Sequence, residues 1–502
     1  MYRKFPMVSN FLPLALRTLR WGAILAIILS PLLWAEASRA QDLPAKLGRV
    51  FQPEAGWSVS IADLDRKEIL YEHRGNEPRL PASNMKLYVT ATAFDLLGTR
   101  FRYRTPLLGR GGLDPSGTWK GDLLVRGSGD PTFSGRFEQD KKNVTGRLER
   151  WAHLLQSKGM RAVEGNLYGD DDIFDEDYWG QGWPDGSWCE WYTAPSGGLI
   201  FNDGCLDVGI RPARGVGQPP GLELIPDTKF VSIKNEAKTV GKNQQAAISF
   251  RRSFEANDLR LIGKIPAGSH GAQHCIALAD PTGYFINVFK EVLEREGIPI
   301  RGEAIDADNR PDLPTRGWKV LALSESPTLA EICQVINTRS QNLFADSLLK
   351  TLGARKAGMG NWAGGQQVIR DWVASLGLDT ENLHLQDGSG LSRLNRMTSH
   401  DTLGLLVKAR EKPWFPEWKK TLAVSGGSEG SLRNRLKTQA LKGRVHAKTG
   451  FINDVYALSG YFEAENGRNY GFSMIFNGKS HGGKHPHHRM EEALTLLARN
   501  PS

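Results

Sequence analysis

The stretch Ser83-Asn84-Met85-Lys86 places a hydroxyl three residues before an amine. If Pro81-Ala82 opens a helix, Ser83 lies in its first turn, and Lys86 lies on the same face one turn away. A serine hydroxyl is a weak nucleophile until a neighbouring base takes its proton. The spacing therefore predicts a helix over about 83–97 that begins with an activated serine.

Two later stretches supply the other groups that serine acyl transfer needs. Ser340-Gln341-Asn342 offers a second hydroxyl and a carboxamide, and Lys448-Thr449-Gly450 offers a second amine beside a glycine in a predicted strand. Each stretch alone is weak evidence, because S-x-x-K and K-T-G both arise often by chance. The three together, in this order, match the motif set of penicillin-binding proteins and serine β-lactamases.

The residue types suggest how the chemistry would be shared. Lys86 must be neutral part of the time to act as a base, and both burial and a nearby second cation such as Lys448 favour the neutral amine. Lys448 can also attract a substrate carboxylate. Ser340 can relay a proton to the leaving amine, and Asn342 can bond a backbone amide of the substrate.

The tetrahedral intermediate needs preorganised donors for its oxyanion. The backbone N–H groups of Ser83, at a helix start, and of Phe451, on the strand edge, are the candidates. Gly450 would let the substrate approach the strand edge without a Cβ in the way.

Beyond these motifs, the chain resembles the D-alanyl-D-alanine carboxypeptidase/endopeptidase family of low-molecular-mass class C penicillin-binding proteins. The similarity includes Leu80–Ser83, Gly127–Thr132, Asp387–Ser392 and Ser459–Tyr461. It implies an α+β penicillin-binding/serine β-lactamase-like transpeptidase domain, with an antiparallel sheet flanked by helices and a large, mainly β insertion. It also implies cleavage of peptides ending in D-Ala-D-Ala through an acyl-serine, and acylation of the same serine by β-lactams.

The resemblance assigns roles to particular residues. Ser83 would be the nucleophile and Lys86 the base, Ser340 and Asn342 the second motif, and Lys448, Thr449 and Gly450 the third. Members of the family often have Thr after K-T-G, where its hydroxyl helps hold the terminal carboxylate, but this chain has Phe451. We therefore expect a reduced carboxypeptidase preference and a larger endopeptidase share.

Two other features have competing interpretations. Gly426–Gly430 matches the G-x-S-x-G nucleophile elbow, but its Gly/Ser-rich surroundings favour a loop. The stretch Tyr178–Tyr192 contains Trp179, Trp183, Trp188 and Trp191, which could grip a substrate or simply pack where the insertion meets the catalytic domain. In the first case, Glu190 could bind the free amine of a diamino acid.

The pattern along the chain predicts a discontinuous catalytic domain. An alternating strand at Trp57–Leu64, a turn and a second strand at Glu68–Glu72 precede the Ser83 helix. Helical periodicity recurs after residue 280, and strands with a terminal helix end the chain. We therefore predict a catalytic domain formed by 41–99 and 281–502, with the β-rich residues 100–280 inserted.

The predicted helices after the insertion are Tyr284–Glu296, Thr328–Gly353, Gln366–Leu376, Ser399–Lys412 and about His488–Arg499, and the predicted strands are Gly121–Arg126 and Val163–Gly169 in the insertion and 445–450, 454–464 and 469–476 near the end.

The N-terminus has the composition of an export signal. Basic residues precede an apolar run from Trp21 to Trp34, and Ser38-Arg39-Ala40 offers a cleavage site, so residues 1–40 form a predicted signal peptide. An uncleaved anchor is the alternative, although 14 apolar residues are short for a span of about 20. We expect a periplasmic protein without an integral membrane span after cleavage.

Composition narrows the possible partners. Residues 1–40 supply a net four of the nine excess positive charges. The positive charge that remains is too small and too dispersed to indicate nucleic-acid binding. The expected partners are peptidoglycan stem peptides, with β-lactam antibiotics as acylating inhibitors and no metal or organic cofactor.

Cysteine usage is sparse. Among the four cysteines, Cys189 and Cys205 are the best candidates for a disulfide, whereas Cys333 falls in a predicted helix as a buried free thiol.

Two rival functions share these motifs. A serine β-lactamase must hydrolyse its acyl-enzyme quickly and is usually compact, whereas 254 residues separate Lys86 from Gln341 here. A catalytically silent wall-binding protein could keep the fold. The complete motif set argues against that second rival.

Overall fold

The computed structural model describes residues 43–52, 54–479 and 485–500. The predicted signal peptide, residues 1–40, lies outside this part of the chain. Within the described residues, none of the helices is both long and apolar enough to cross a membrane.

The chain forms nineteen described strands and ten described helices. In chain order the strands are β1 (Trp57–Asp63), β2 (Glu68–His73), β3 (Arg104–Leu113), β4 (Thr118–Arg126), β5 (Ala162–Val163), β6 (Leu167–Asp170), β7 (Cys205–Arg211), β8 (Gly221–Ile225), β9 (Ser232–Asn235), β10 (Lys238–Val240), β11 (Ala247–Arg251), β12 (Asp258–Pro266), β13 (Ala272–Ala277), β14 (Ala304–Asp306), β15 (Lys319–Glu325), β16 (Ala423–Val424), β17 (Val445–Ile452), β18 (Val455–Glu463) and β19 (Asn469–Asn477). The helices are α1 (43–51), α2 (Met85–Leu97), α3 (Gly146–Ser157), α4 (Pro281–Arg295), α5 (Leu329–Arg339), α6 (Asn342–Leu352), α7 (Trp362–Ser375), α8 (Ser399–Arg410), α9 (Phe415–Thr421) and α10 (Pro486–Ala498).

One antiparallel sheet joins the two ends of the chain. Its strand order is β16-β17-β18-β19-β1-β2, so the first hairpin pairs with the last strand. The register places Trp57 opposite Phe476 and Asp63 opposite Tyr470. This pairing brings the Lys448 strand and the Ser83 turn into the same domain and confirms the predicted α+β fold.

Apolar side chains cover both faces of this sheet. On one face, Ile475 and Tyr461 pack with α2, α5, α6, α7, α8 and α9 in one core. On the other, Val59 and Phe472 pack with α1 and α10 in a second core. The sheet is therefore buried on both sides, and β18 and β19 are buried along almost their whole length.

The predicted helix Thr328–Gly353 is wrong as a single element. The structure breaks it into α5 and α6 at Ser340 and Gln341, because Ser340 adopts a left-handed backbone with φ of +62°. Gln341 is extended and begins α6. Apolar periodicity continues through both helices, so the pattern alone hides the break.

The inserted residues form a separate core with their own sheets. β14 pairs with β6, and β15 pairs with β3, so residues 304–325 complete a sheet begun at residue 104. α4 packs in the same apolar cluster, which includes Phe285 and Phe289. We infer that the insertion ends near residue 325 rather than at 280. Within it, the predicted strand Val163–Gly169 is two strands, β5 and β6.

The four cysteines are free thiols. No disulfide joins Cys189 to Cys205, and the thiol beside Cys205 is that of Cys275 on the neighbouring strand, where Cys205 pairs with Ala277 and Cys275 with Asp207. Cys333 is fully buried in α5, as predicted.

Truncating a side chain between the sheet and its helices should destabilise the protein strongly. We expect Ile475→Ala, at a fully buried position of β19, to lower the free energy of unfolding by about 2–5 kcal/mol, through lost burial and a residual cavity. Ile69→Ala on the edge strand β2, where the side chain is 52% exposed, is the matched control and should cost less than about 1 kcal/mol. Equal losses for the two variants in urea unfolding would contradict the assignment of this core.

Candidate active site

A short 3₁₀ turn holds the candidate nucleophile at the entrance of α2. The turn spans Ala82–Asn84, and α2 continues it from Met85. Ala82 has a φ of +45°, an unfavourable value for a residue with a Cβ. The next residue, Ser83, is partly exposed, and its hydroxyl lies 3.0 Å from the Lys86 amine. The predicted S-x-x-K geometry is thus present.

Lys86 is buried and contacts three oxygen atoms. Its Nζ donates to Asn342 Oδ1 at 2.8 Å and to the Ser389 carbonyl, in addition to its contact with Ser83. A neutral amine has two hydrogens and one lone pair. With the hydrogens on Asn342 and Ser389, the lone pair faces the Ser83 hydroxyl, which is the arrangement a base needs.

The second and third motifs meet beside the first. The break between α5 and α6 turns Ser340 toward β17, where Lys448 Nζ donates to Ser340 Oγ at 2.9 Å and to the Thr449 carbonyl at 2.7 Å. Each lysine therefore contacts a different hydroxyl: Lys86 contacts that of Ser83, and Lys448 contacts that of Ser340. Asn342 Nδ2 also donates to the Tyr192 carbonyl at 3.0 Å, which ties the second motif to the aromatic segment.

Burial depresses the pKa of both amines. It lowers the pKa of Lys86 to about 8, against the opposing charges of Asp346 and Asp387. Burial, and then the charge of Lys86, hold the pKa of Lys448 well below its usual range. We expected Lys448 to lower the pKa of Lys86, but the effect runs the other way, with the charge of Lys86 lowering the pKa of Lys448.

Asp346 is a site residue that the sequence reasoning missed. It lies one turn after Asn342 on α6, and its Oδ1 accepts from the backbone N–H groups of Gly388 and Ser389 at 2.8 Å each. It thereby positions the carbonyl that accepts from Lys86. Burial and the neighbouring Asp387 raise the pKa of Asp346 well above its usual range. The one sequence feature that could have indicated this role is that Asp346 lies four residues after Asn342, and so on the same face of the helix.

The loop Asp387–Ser392, which only the family resemblance placed near the site, lies against the nucleophile turn. Gly390 has a φ of +81°, and a Cβ there would stand 1.8 Å from the Ala82 carbonyl. Asp387 organises the loop by accepting from Gly390 N–H at 2.8 Å and from Trp183 Nε1 at 2.8 Å. The loop is therefore a wall of the site.

The strand after Lys448 leaves an open edge for an extended peptide. β16 pairs with β17 only at His446 and Ala447, and within the described residues no other strand covers that edge further along. Thr449 lies there and donates to Ser431 Oγ at 2.7 Å, a contact that the sequence reasoning missed.

Gly450 and Phe451 complete this part of β17. A Cβ on Gly450 would lie 2.9 Å from the Pro81 carbonyl. The glycine thus makes room for the nucleophile turn rather than for substrate. Phe451 is 60% exposed at the edge of the cleft.

A cleft of about 540 Å³ opens above Ser83. Its basic groups are Arg339 and Arg393, and none of the described residues that line it is acidic. Glu190 is exposed and does not line the cleft, whereas its neighbours Trp191 and Tyr192 do. The predicted amine site at Glu190 therefore has no support in this geometry.

The aromatic segment contributes one tryptophan to the packing of the domains and another to the wall of the cleft. Trp183 is buried between the insertion and the catalytic helices, packed against Trp362. Trp191 is 41% exposed and faces the cleft. The G-x-S-x-G match at Gly426–Gly430 lies in a run of turns with an exposed Ser428, as the loop interpretation predicts.

These features define a serine acyl-transfer enzyme with a penicillin-binding fold. Residues 43–500 match the D-Ala-D-Ala carboxypeptidase 3 (S13) family. The chain is 31% identical to a D-alanyl-D-alanine carboxypeptidase of Actinomadura sp. strain R39 over 84% of this chain and 78% of that protein. It is 24% identical to the D-alanyl-D-alanine carboxypeptidase DacB of Haemophilus influenzae, over 88% of each.

A solved structure agrees with the fold. The crystal structure of penicillin binding protein 4 (dacB) from Haemophilus influenzae superposes with a TM-score of 0.78 at 22% identity, covering 91% of this chain and 99% of that one. The chain belongs to the D-Ala-D-Ala carboxypeptidase 3 (S13) family, and it is a serine-type carboxypeptidase.

The depressed pKa of Lys86 predicts how acylation depends on pH. With a pKa of about 8, about one tenth of the molecules carry the neutral amine at pH 7, and the fraction rises as the proton leaves. The second-order rate constant for acylation by benzylpenicillin should therefore rise close to tenfold per pH unit from pH 6 to 7 and begin to level near pH 8. Stopped-flow acylation measures it, and a rate that is constant from pH 6 to 8 would contradict a neutral Lys86 base.

Proposed function

We propose that this protein is a serine D-Ala-D-Ala carboxypeptidase that acts on peptidoglycan stem peptides and also cleaves D-alanyl cross-links as an endopeptidase. The single observation that supports it best is the contact of 3.0 Å between the Ser83 hydroxyl and a buried, three-coordinated lysine amine. Export to the periplasm is part of the proposal, supported by the charge and apolar pattern of residues 1–40.

In the proposed first step, Ser83 Oγ attacks the carbonyl carbon of the penultimate D-alanine. Neutral Lys86 takes the hydroxyl proton as the C–O bond forms. The resulting oxyanion would be held by the backbone N–H groups of Ser83 and Phe451, which lie on the nucleophile turn and on the open edge of β17.

The leaving amine needs a proton when the C–N bond breaks. Ser340 is suited to deliver it, because its hydroxyl accepts from the Lys448 amine at 2.9 Å and faces the cleft. Water then attacks the acyl-enzyme, Ser83 leaves with a proton, and the shortened peptide is released. The proton that Lys86 took from Ser83 replaces the one that Ser340 gives to the leaving amine, so Lys86 is neutral again. It is the proposed base for this water, since it stays beside the ester oxygen.

The charge of the cleft fits an anionic peptide. Arg339, Arg393 and Thr449 line it, with Thr449 at the strand edge where a terminal carboxylate would lie, and Lys448 is buried directly before Thr449 on β17. With Phe451 in the position after K-T-G, one hydroxyl donor to that carboxylate is missing. A cross-linked substrate has a longer chain after the scissile bond, so it loses less binding energy when this hydroxyl is absent. This difference is the reason to propose endopeptidase activity beside the carboxypeptidase activity.

Removing the proposed nucleophile should abolish turnover. We expect Ser83→Ala to lower D-alanine release from a synthetic pentapeptide at least about a thousandfold, and to end labelling by a fluorescent penicillin. Ser428→Ala, at the exposed serine of the G-x-S-x-G match, is the control and should keep full activity. Labelled Ser83→Ala protein, or an inactive Ser428→Ala variant, would overturn the assignment.

Penicillin labelling, together with nitrocefin hydrolysis, distinguishes a carboxypeptidase from a serine β-lactamase and from a silent wall-binding protein. A carboxypeptidase is labelled once by penicillin and hydrolyses nitrocefin slowly, whereas a β-lactamase turns nitrocefin over rapidly. A parent protein that neither releases D-alanine nor takes up label would be the silent wall-binding protein instead.

Restoring a hydroxyl after K-T-G should shift the product ratio. Phe451→Thr adds a donor for the terminal carboxylate, and a hydrogen bond to a charged group is worth about 1.5–3 kcal/mol. We expect the ratio of carboxypeptidase to endopeptidase kcat/KM to rise about tenfold or more, measured by mass spectrometry on purified muropeptides. The control is Phe451→Val, because valine has nearly the same shape as threonine but no hydroxyl. This variant should leave the ratio of carboxypeptidase to endopeptidase activity low. Equal ratios in the two variants, or a parent that strongly favours terminal D-alanine release, would contradict this part of the proposal.

A further inference from the structure

Three carboxylates from distant parts of the insertion converge at one edge of its large sheet. β6 and β14 are parallel neighbours, with Asp306 opposite Gly169, so their carboxyl ends meet. Asp171 follows β6, Asp306 ends β14, and Asp308 lies in the 3₁₀ turn Ala307–Asn309. One carboxylate oxygen of each lies within 4.8 Å of the other two.

Asp171 is the buried member of this group and is incompletely bonded. Its side chain is 1% exposed. Oδ2 accepts from Thr282 Oγ1 at 2.5 Å and lies 3.4 Å from the Tyr178 hydroxyl, which donates its hydrogen to Glu176, whereas Oδ1 is buried with no hydrogen-bond partner. Buried oxygens without partners are uncommon in folded proteins, and an unseen ion or water is a standard explanation.

Further carboxylates lie around these three, and the cations near them act on those neighbours: Arg126 on Asp172 and Lys350 on Glu176. Glu176 and Asp172 lie nearby, and none of the ion pairs among the described residues involves Asp171, Asp306 or Asp308. Burial, and then the charges of Glu176, Asp306 and Asp308, raise the pKa of Asp171 to about 8.

We propose that Asp171, Asp306 and Asp308 form a binding site for a divalent cation, with Ca²⁺ as the best fit. All three ligands are oxygens, which hard cations prefer, and Ca²⁺ accepts irregular coordination completed by water. Asp308 is exposed and gives the ion access from solvent. A cation bound here satisfies the free oxygen of Asp171 and offsets the mutual repulsion of the carboxylates.

The site lies at the start of the segment that reaches the catalytic cleft. From Asp171 the chain runs to Trp183, which donates to Asp387, and to Tyr192, whose carbonyl accepts from Asn342. Thr282 of α4 is held against the same carboxylate. A bound cation therefore fixes one end of this segment on the inserted sheet and stabilises the folded insertion.

The experiment measures cation binding directly and needs no peptidase activity. Protein treated with EDTA and dialysed is titrated with CaCl₂, and separately with MgCl₂, by calorimetry and thermal unfolding. Tb³⁺ luminescence, sensitised through Tyr178, gives a second readout. We expect one Ca²⁺ per chain, a higher melting temperature in Ca²⁺ and weaker binding of Mg²⁺.

Variants locate the site. Asp306→Asn and Asp308→Asn should weaken Ca²⁺ binding at least about tenfold, because affinity follows the number of charged ligands. Asp312→Asn is the matched control. Asp312 lies four residues after Asp308, is exposed and forms an ion pair with Arg310, so this variant should bind Ca²⁺ like the parent. No Ca²⁺ binding by the parent, or equal weakening by Asp312→Asn, would overturn the proposal. So would an Asp171→Asn variant that is more stable than the parent at every Ca²⁺ concentration.

Discussion

Two lysine amines are buried at one reaction centre, and the arrangement of the site depends on how the fold tolerates them. An isolated buried ammonium is costly, so each amine is either bonded to oxygen or neutral. Lys86 has three oxygen neighbours and two carboxylates at longer range, whereas Lys448 has a hydroxyl and a carbonyl. Because their surroundings differ, the two amines have different proposed roles. Lys86 takes the proton of Ser83, and Lys448 donates a hydrogen bond to Ser340.

Strain and close approach bring these groups together. Ala82 and Ser340 both have positive φ values without being glycine. Ser340 lines the cleft, and Ala82 directly precedes the cleft residue Ser83. Gly390 and Gly450 supply the space for the nucleophile turn between the Asp387–Ser392 loop and β17. Left-handed residues of this kind cost about 1–3 kcal/mol each and persist where the surroundings hold them. The sheet that joins the chain ends provides that support.

The sequence predicted those parts of the fold that local patterns determine. The hairpin at Trp57–His73, the Ser83 helix and the last three strands follow from local patterns within a few residues, namely alternation in the strands and the S-x-x-K spacing after Pro81 in the helix. The break at Ser340 did not, because α5 and α6 have continuous apolar periodicity and the left-handed serine is held by Lys448 from a distant strand.

The end of the insertion that we infer near residue 325 has no local signal in the sequence, because β14 has only three residues and pairs far back in the chain. Asp346 was missed because burial beside Lys86 is a tertiary property. The most direct test of the account is the titration of Lys86 itself, by NMR of protein labelled with ε-¹³C-lysine and assigned with Lys86→Met. The Lys86 resonance should titrate near pH 8. A Lys86 signal that remains cationic beyond pH 10 would contradict it.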